Sequence, residues 1–232
     1  MSGLRKRWYV RGAAAGAATL LLAGCGAADS GTGTGAGTDT GEDAKAAWID
    51  QSRMRTVLPD APAMPGWTMT GPVSTTPMTD RATKNLICPN KSKTGCERAR
   101  FLGSVTFRRA DDKAEARFWV VTYQEERDAD LAYDGLWKDT WSKGGTRSVD
   151  IGTPGAERGA TGGAAGRHAE GFTAQIRVGT VILWVGSTAA TDAKGVADPA
   201  AKDFAKDVTA MFAERAQQAQ NGEEPSSVLD AA

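Results

Sequence analysis

The sequence of 232 residues predicts an α+β domain: an antiparallel twisted sheet with helices packed mainly on one face. Three observations lead there. Segments of apolar alternation come in runs and do not alternate strictly with helical ones. Two segments, 125–142 and the stretch opened by Asp198-Pro199, carry a helical period instead. Two strands are separated only by Gly179-Thr180, a connection too short for anything but antiparallel neighbours.

The charge balance narrows the partners. The chain has 28 Lys+Arg, 28 Asp+Glu and one His. The first 24 residues hold Arg5, Lys6, Arg7 and Arg11 and no acid, so the remainder has 24 basic against 28 acidic groups, a net charge of −4. Such a body has no chain-wide attraction for nucleic acid, and none is expected as a partner. One His and two Cys beyond Cys25 argue against His-rich metal sites and a Ser–His–Asp hydrolase.

Residues 1–24 read as a signal peptide. A basic segment precedes ten uncharged residues, 13–22. As a helix these rise only ~15 Å, about half of a bilayer core, too short for a span. Leu22-Ala23-Gly24-Cys25 follows directly and resembles the lipobox of bacterial lipoproteins. That resemblance implies cleavage before Cys25, a diacylglyceryl group on its sulfur and acylation of its amine. Two or more acyl chains anchor stably, at ~0.8 kcal/mol per buried CH₂. Residues 25–42 are rich in Gly, Thr and Ser without large apolar side chains, and read as a flexible tether reaching ~20–25 Å.

The domain is expected over 43–217. A helix over 42–57 is ended by Pro59, Pro62 and Pro65, and a strand over 67–74 starts at Trp67. Cys88 and Cys96 enclose seven mostly polar residues. Outside the membrane such a pair is oxidised, and closing so short a loop contributes ~2–3 kcal/mol. The spacing is not that of a redox-active Cys-x-x-Cys. Asn90-Lys91-Ser92 matches a glycosylation sequon without further support.

Residues 103–109 alternate as a half-buried strand. Over 117–124 both faces are apolar, with Phe118 and Val120 opposed to Trp119, Val121 and Tyr123, so this strand is central and covered twice, or lines a groove. In 125–142 Ala129, Ala132, Tyr133, Leu136 and Trp137 form one stripe of a helix stopped by Gly144-Gly145. Asp128, Asp130 and Asp134 miss the EF-hand spacing and read as solvated helix faces. A short strand is expected over 147–151, then a loop over 152–166 with six Gly. His168 reads as an exposed polar residue.

The hairpin over 172–187 pairs Val178 with Val181, Ile176 with Leu183 and Ala174 with Val185 on one face. The other face sets Arg177 opposite Ile182 and Gln175 opposite Trp184; either another element covers it, or it edges a groove. In the last helix Phe204, Ala205, Val208, Met211 and Phe212 form the buried stripe, and Arg215 suits the negative end of the dipole. Residues 218–232 are expected as a disordered tail.

Pro59 with Pro65-Gly66-Trp67, the Cys pair, the aromatic strand, the helix from Asp130 to Trp141, Arg177-Val178-Gly179 and the C-terminal amphipathic helix resemble actinobacterial lipoproteins with a sensor domain. These are similar to the extracellular domain of the H-type mycobacterial serine/threonine receptor kinase. The resemblance implies a sheet packed on helices and a cleft for a small ligand. It also implies two disulfides, where this chain has cysteines for one.

The function expected is that of a non-enzymatic binding or sensor domain on the outer face of the cytoplasmic membrane, lipid-anchored at Cys25. Trp67, Trp119, Tyr123, Arg177 and Trp184 are the candidate cleft residues, with Arg177 as a charged and cation–π contact. The ligand is an unidentified small molecule or envelope protein. The alternative is a cell-envelope interaction or structural module using an exposed face or the loop at Gly162-Gly163. Neither paired carboxylates, metal-ligand spacing nor a nucleophile elbow is present, so no catalytic residue, metal or cofactor is expected.

Overall fold

The computed structural model describes residues 46–79, 81–88, 95–111, 114–138, 142–144, 147–162, 171–188 and 199–230. Cys25, the tether, the sequon, His168, Trp141 and Asp198 lie outside them. Among the described residues, eight strands form one sheet: β1 (Trp67–Met69), β2 (Ser74–Pro77), β3 (Phe101–Arg109), β4 (Glu115–Thr122), β5 (Arg147–Ser148), β6 (Glu157–Gly162), β7 (Phe172–Val178) and β8 (Val181–Ser187). Their order is β1-β3-β4-β8-β7-β6-β5, with β2 also on β3, and every pairing is antiparallel. The helices are α1 (Gln51–Val57), α2 (Arg81–Ile87), α3 (Glu126–Leu136) and α4 (Pro199–Gln220). Among the described residues no helix is long and apolar enough to cross a membrane.

The alternation of β4, β7 and β8 sorts the core into two layers. One face buries Phe118, Val120, Ile176, Leu183 and Val185 under α1 and α4. Phe118 meets Phe107 and Phe212 edge-on at 5.9 and 5.2 Å between ring centroids. The opposite face buries Val121, Tyr123, Ile182 and Trp184 under α3. The larger core lies on the face covered by α1 and α4. The second face has a helical layer too, because strands apolar on both sides need cover on both.

The hairpin register is the expected one, with Val178 opposite Val181, Ile176 opposite Leu183 and Arg177 opposite Ile182. Gly179 takes φ +48° in its turn, a value disfavoured for residues with a Cβ.

Four expectations change. The first helix starts at Gln51, not 42, because Asp50 caps it: its Oδ1 accepts from the Arg53 amide at 2.8 Å. The strand over 67–74 divides into β1 and β2 around Gly71-Pro72, both pairing with β3. The Gly-rich segment contains β6. A Cβ at Gly159 would overlap the Trp137 indole, so the missing side chain there is the seat of an aromatic ring and not a sign of a loop. Finally, residues 218–230 pack on the domain instead of forming a tail. Gln218 Oε1 accepts from the Ser226 amide at 2.8 Å, Leu229 is buried, and its amide donates to the Ala63 carbonyl at 2.9 Å.

Arg215 organises that return. The residue is 4 % exposed, and its guanidinium donates to the carbonyls of Thr56 (2.8 Å), Val57 (3.1 Å) and Ser227 (3.1 Å). It satisfies the open carbonyls at the end of α1 and ties them to the C-terminal segment. Burial holds its pKa below the ordinary arginine value, with Asp60 and Glu224 acting in the opposite direction.

Candidate functional site

The five candidate cleft residues do not line one cleft. Trp67 lies on the α4 side of the sheet, its ring stacked on Phe204 at 5.2 Å and covered by the Arg109 guanidinium at 5.2 Å. Trp119, Tyr123, Arg177 and Trp184 lie on the α3 side. There Trp119 is half-buried, and the other three are closed over by α3.

The closure is polar as well as apolar. Trp184 Nε1 donates to Gln175 Oε1 at 2.6 Å, and Gln175 Nε2 donates to the Tyr133 carbonyl of α3 at 3.0 Å. Arg177 bonds Glu157 on β6 through Nε and Glu126 on α3 through Nη1 at 2.9 Å, with Asp130 at 3.8 Å. Burial disfavours the Arg177 charge, yet its bonds to Glu157 and Glu126 outweigh that and raise its pKa. Arg177 therefore joins α3 to β6.

The Cys88–Cys96 disulfide is present, with Cα atoms 5.8 Å apart. It ties the end of α2 to a short 3₁₀ turn, Cys96–Arg98. Beside that turn, where α3 begins, lies a cavity of about 620 Å³. Its charged walls are Lys84, Glu97, Arg98, Arg100, Glu125 and Asp128. Arg98 Nη1 bonds Asp128 Oδ1 at 2.7 Å; the Asp128 side chain is 8 % exposed. Asp128 is thus no solvated helix position, unlike Asp130 and Asp134 on the same helix, which are exposed. Arg100 Nη2 donates to Gln124 Oε1 at 2.7 Å.

Tyr123, which follows β4, is fully buried. Its hydroxyl has no hydrogen-bond partner among the described residues. Burial, then the charges of Glu97 and Asp128, push its phenol well above the ordinary range. A second groove, about 460 Å³, runs between α4 and the chain before β6, past Ile151, Val178 and Ala213. Among the described residues no group of His, Cys, Asp and Glu is arranged to hold a metal ion.

The charged cavity was not assigned from sequence. Its residues come from four separate stretches, and a lone charge in a loop carries no periodic signal. The one local hint is the crowding of charge between the second cysteine and the start of α3.

No family model matches the chain, and no curated protein matches it. Among solved structures it is similar to the extracellular domain of PknH from Mycobacterium tuberculosis, at 12% identity and a TM-score of 0.44. The match covers 77% of this chain and 100% of that one. No property of that domain is carried over to this chain.

Proposed function

We propose that the chain is a non-enzymatic binding domain on the outer face of the cytoplasmic membrane, anchored by lipid on Cys25, which takes a small envelope ligand. The observation that carries this reading is the position of Leu22-Ala23-Gly24-Cys25 directly behind a charged and then apolar leader. The Cys88–Cys96 disulfide supports export, since such bonds persist in oxidising compartments. The charged cavity at the start of α3 supports a ligand, because its volume falls in the range of small-molecule sites, roughly 300–1,000 Å³.

The test is metabolic labelling with an alkyne-tagged fatty acid in a bacterium expressing the full chain. Wild type is expected in the membrane fraction, labelled and lacking residues 1–24. Cys25→Ala is expected unlabelled. An unmodified N-terminus on the wild-type protein, read by mass spectrometry, overturns the reading.

A further inference from the structure

Among the described residues, four charged side chains of the cavity at the start of α3 form no ion pair. Arg98 and Asp128 satisfy one another. Lys84 Nζ, by contrast, donates to a backbone carbonyl, that of Glu97 at 3.3 Å, and Arg100 donates to the neutral Gln124. Among the described residues neither Lys84 nor Arg100 forms an ion pair within 4.0 Å, and neither do Glu97 and Glu125. Two cations and two carboxylates therefore share one concavity without neutralising each other.

That arrangement selects for charge type. On a convex surface single charges are simply hydrated; within a concave wall their fields are focused. A plain anion entering here gains from Lys84 and Arg100 and is opposed by Glu97 and Glu125, and a plain cation meets the reverse. A molecule bearing both signs gains from both pairs.

We propose that this cavity binds a dipeptide-sized zwitterion, a short peptide with free amino and carboxyl ends, the carboxylate held by Arg100 and Lys84 and the ammonium by Glu97 and Glu125. The inference rests on the binding-domain reading above and names the ligand class for it.

The experiment is calorimetric titration of the purified full chain at pH 7 and low salt. Three probes are compared: alanyl-alanine with free ends, its N-acetyl form and its C-terminal amide. The free dipeptide is expected to bind, and each blocked form to bind about tenfold more weakly, the size of one lost charge-assisted hydrogen bond. Arg100→Gln is expected to weaken discrimination against the amide alone, and Glu125→Gln discrimination against the N-acetyl form alone. Both side chains are exposed, so both variants should melt with wild type. Silence towards the free dipeptide at millimolar concentration overturns the proposal, as does equal or tighter binding of either blocked form. The outcome is independent of Cys25. An unlipidated chain defeats the anchoring reading and leaves this titration unaffected, whereas an anchored chain indifferent to the peptide ends defeats only the ligand class.

Discussion

Trp184 and Gln175 face each other across the central hairpin and are joined by a 2.6 Å hydrogen bond from indole to side-chain amide. Gln175 is fully buried, and its own amide donor reaches the Tyr133 carbonyl. One polar side chain thus serves a sheet partner and the helix above it. Gln175→Leu keeps much of the volume and removes both bonds. It is expected to lower stability by about 1–3 kcal/mol, the usual cost of losing buried hydrogen bonding. Urea denaturation reads this as a lower midpoint with an unchanged slope.

Gly159 is expected to resist substitution although it lies in a partly exposed strand. Gly159→Ala drives a methyl into the Trp137 indole, an overpacking cost of about 1–3 kcal/mol. The double variant with Trp137→Ala is expected to cost less than the two single changes added together. Additive thermal-melting losses would show that the ring and the glycine do not interact.

Arg215 is expected to be a sensitive position of α4. Arg215→Met removes the donors to Thr56, Val57 and Ser227 at once, a loss of about 2–4 kcal/mol. Limited proteolysis is expected to cut first within residues 223–230, which Arg215 holds. Arg215→Lys supplies a charge without the planar fork and is expected to recover only part of the loss. Equal protease resistance of wild type and Arg215→Met would refute this account.

The Tyr123 phenol gives a prediction in pH. Its pKa is raised in the folded state, so the folded chain keeps a proton that the unfolded chain releases above the ordinary phenol value of about 10. The unfolded state then binds fewer protons, and stability falls as pH rises beyond that point. Tyr133 is raised in the same direction, chiefly by burial, so Tyr123→Phe is expected to flatten the alkaline decline without abolishing it. At pH 7 the same variant is expected to be as stable as wild type or more so, because it removes a buried hydroxyl without a partner. Denaturant midpoints at pH 7, 9 and 10.5 check both statements; parallel curves for the two proteins would contradict the first.

Much of the fold was legible because alternation and local turn chemistry act over a few neighbouring residues. The β7–β8 register follows from Gly179-Thr180 and the spacing of Ile176 and Leu183. The α4 stripe follows from Phe204, Val208, Met211 and Phe212. What was not legible depends on contacts between distant segments. Gly159 reads as a loop residue until Trp137 is placed upon it. Trp67 and Trp184 are equally good aromatic anchors in sequence, and only the strand order sends them to opposite sides of the sheet. The question of cover or groove on the second face was settled by α3, through Gln175 and Arg177. The cavity itself depends on where the disulfide turn meets that helix, which no periodicity encodes.

The Gly179 turn also bears on where this chain can be shortened. A Cβ there would collide with Ala46 and Gln220, and Thr180 Oγ1 donates to the Ala47 carbonyl at 3.4 Å. The residues just ahead of Asp50 are therefore a lid over the tip of the central hairpin, although they belong to no helix or strand. A truncated version beginning at Gln51 would keep every regular element yet expose that tip, and Ile49, wholly enclosed in the intact chain, would be lost with it.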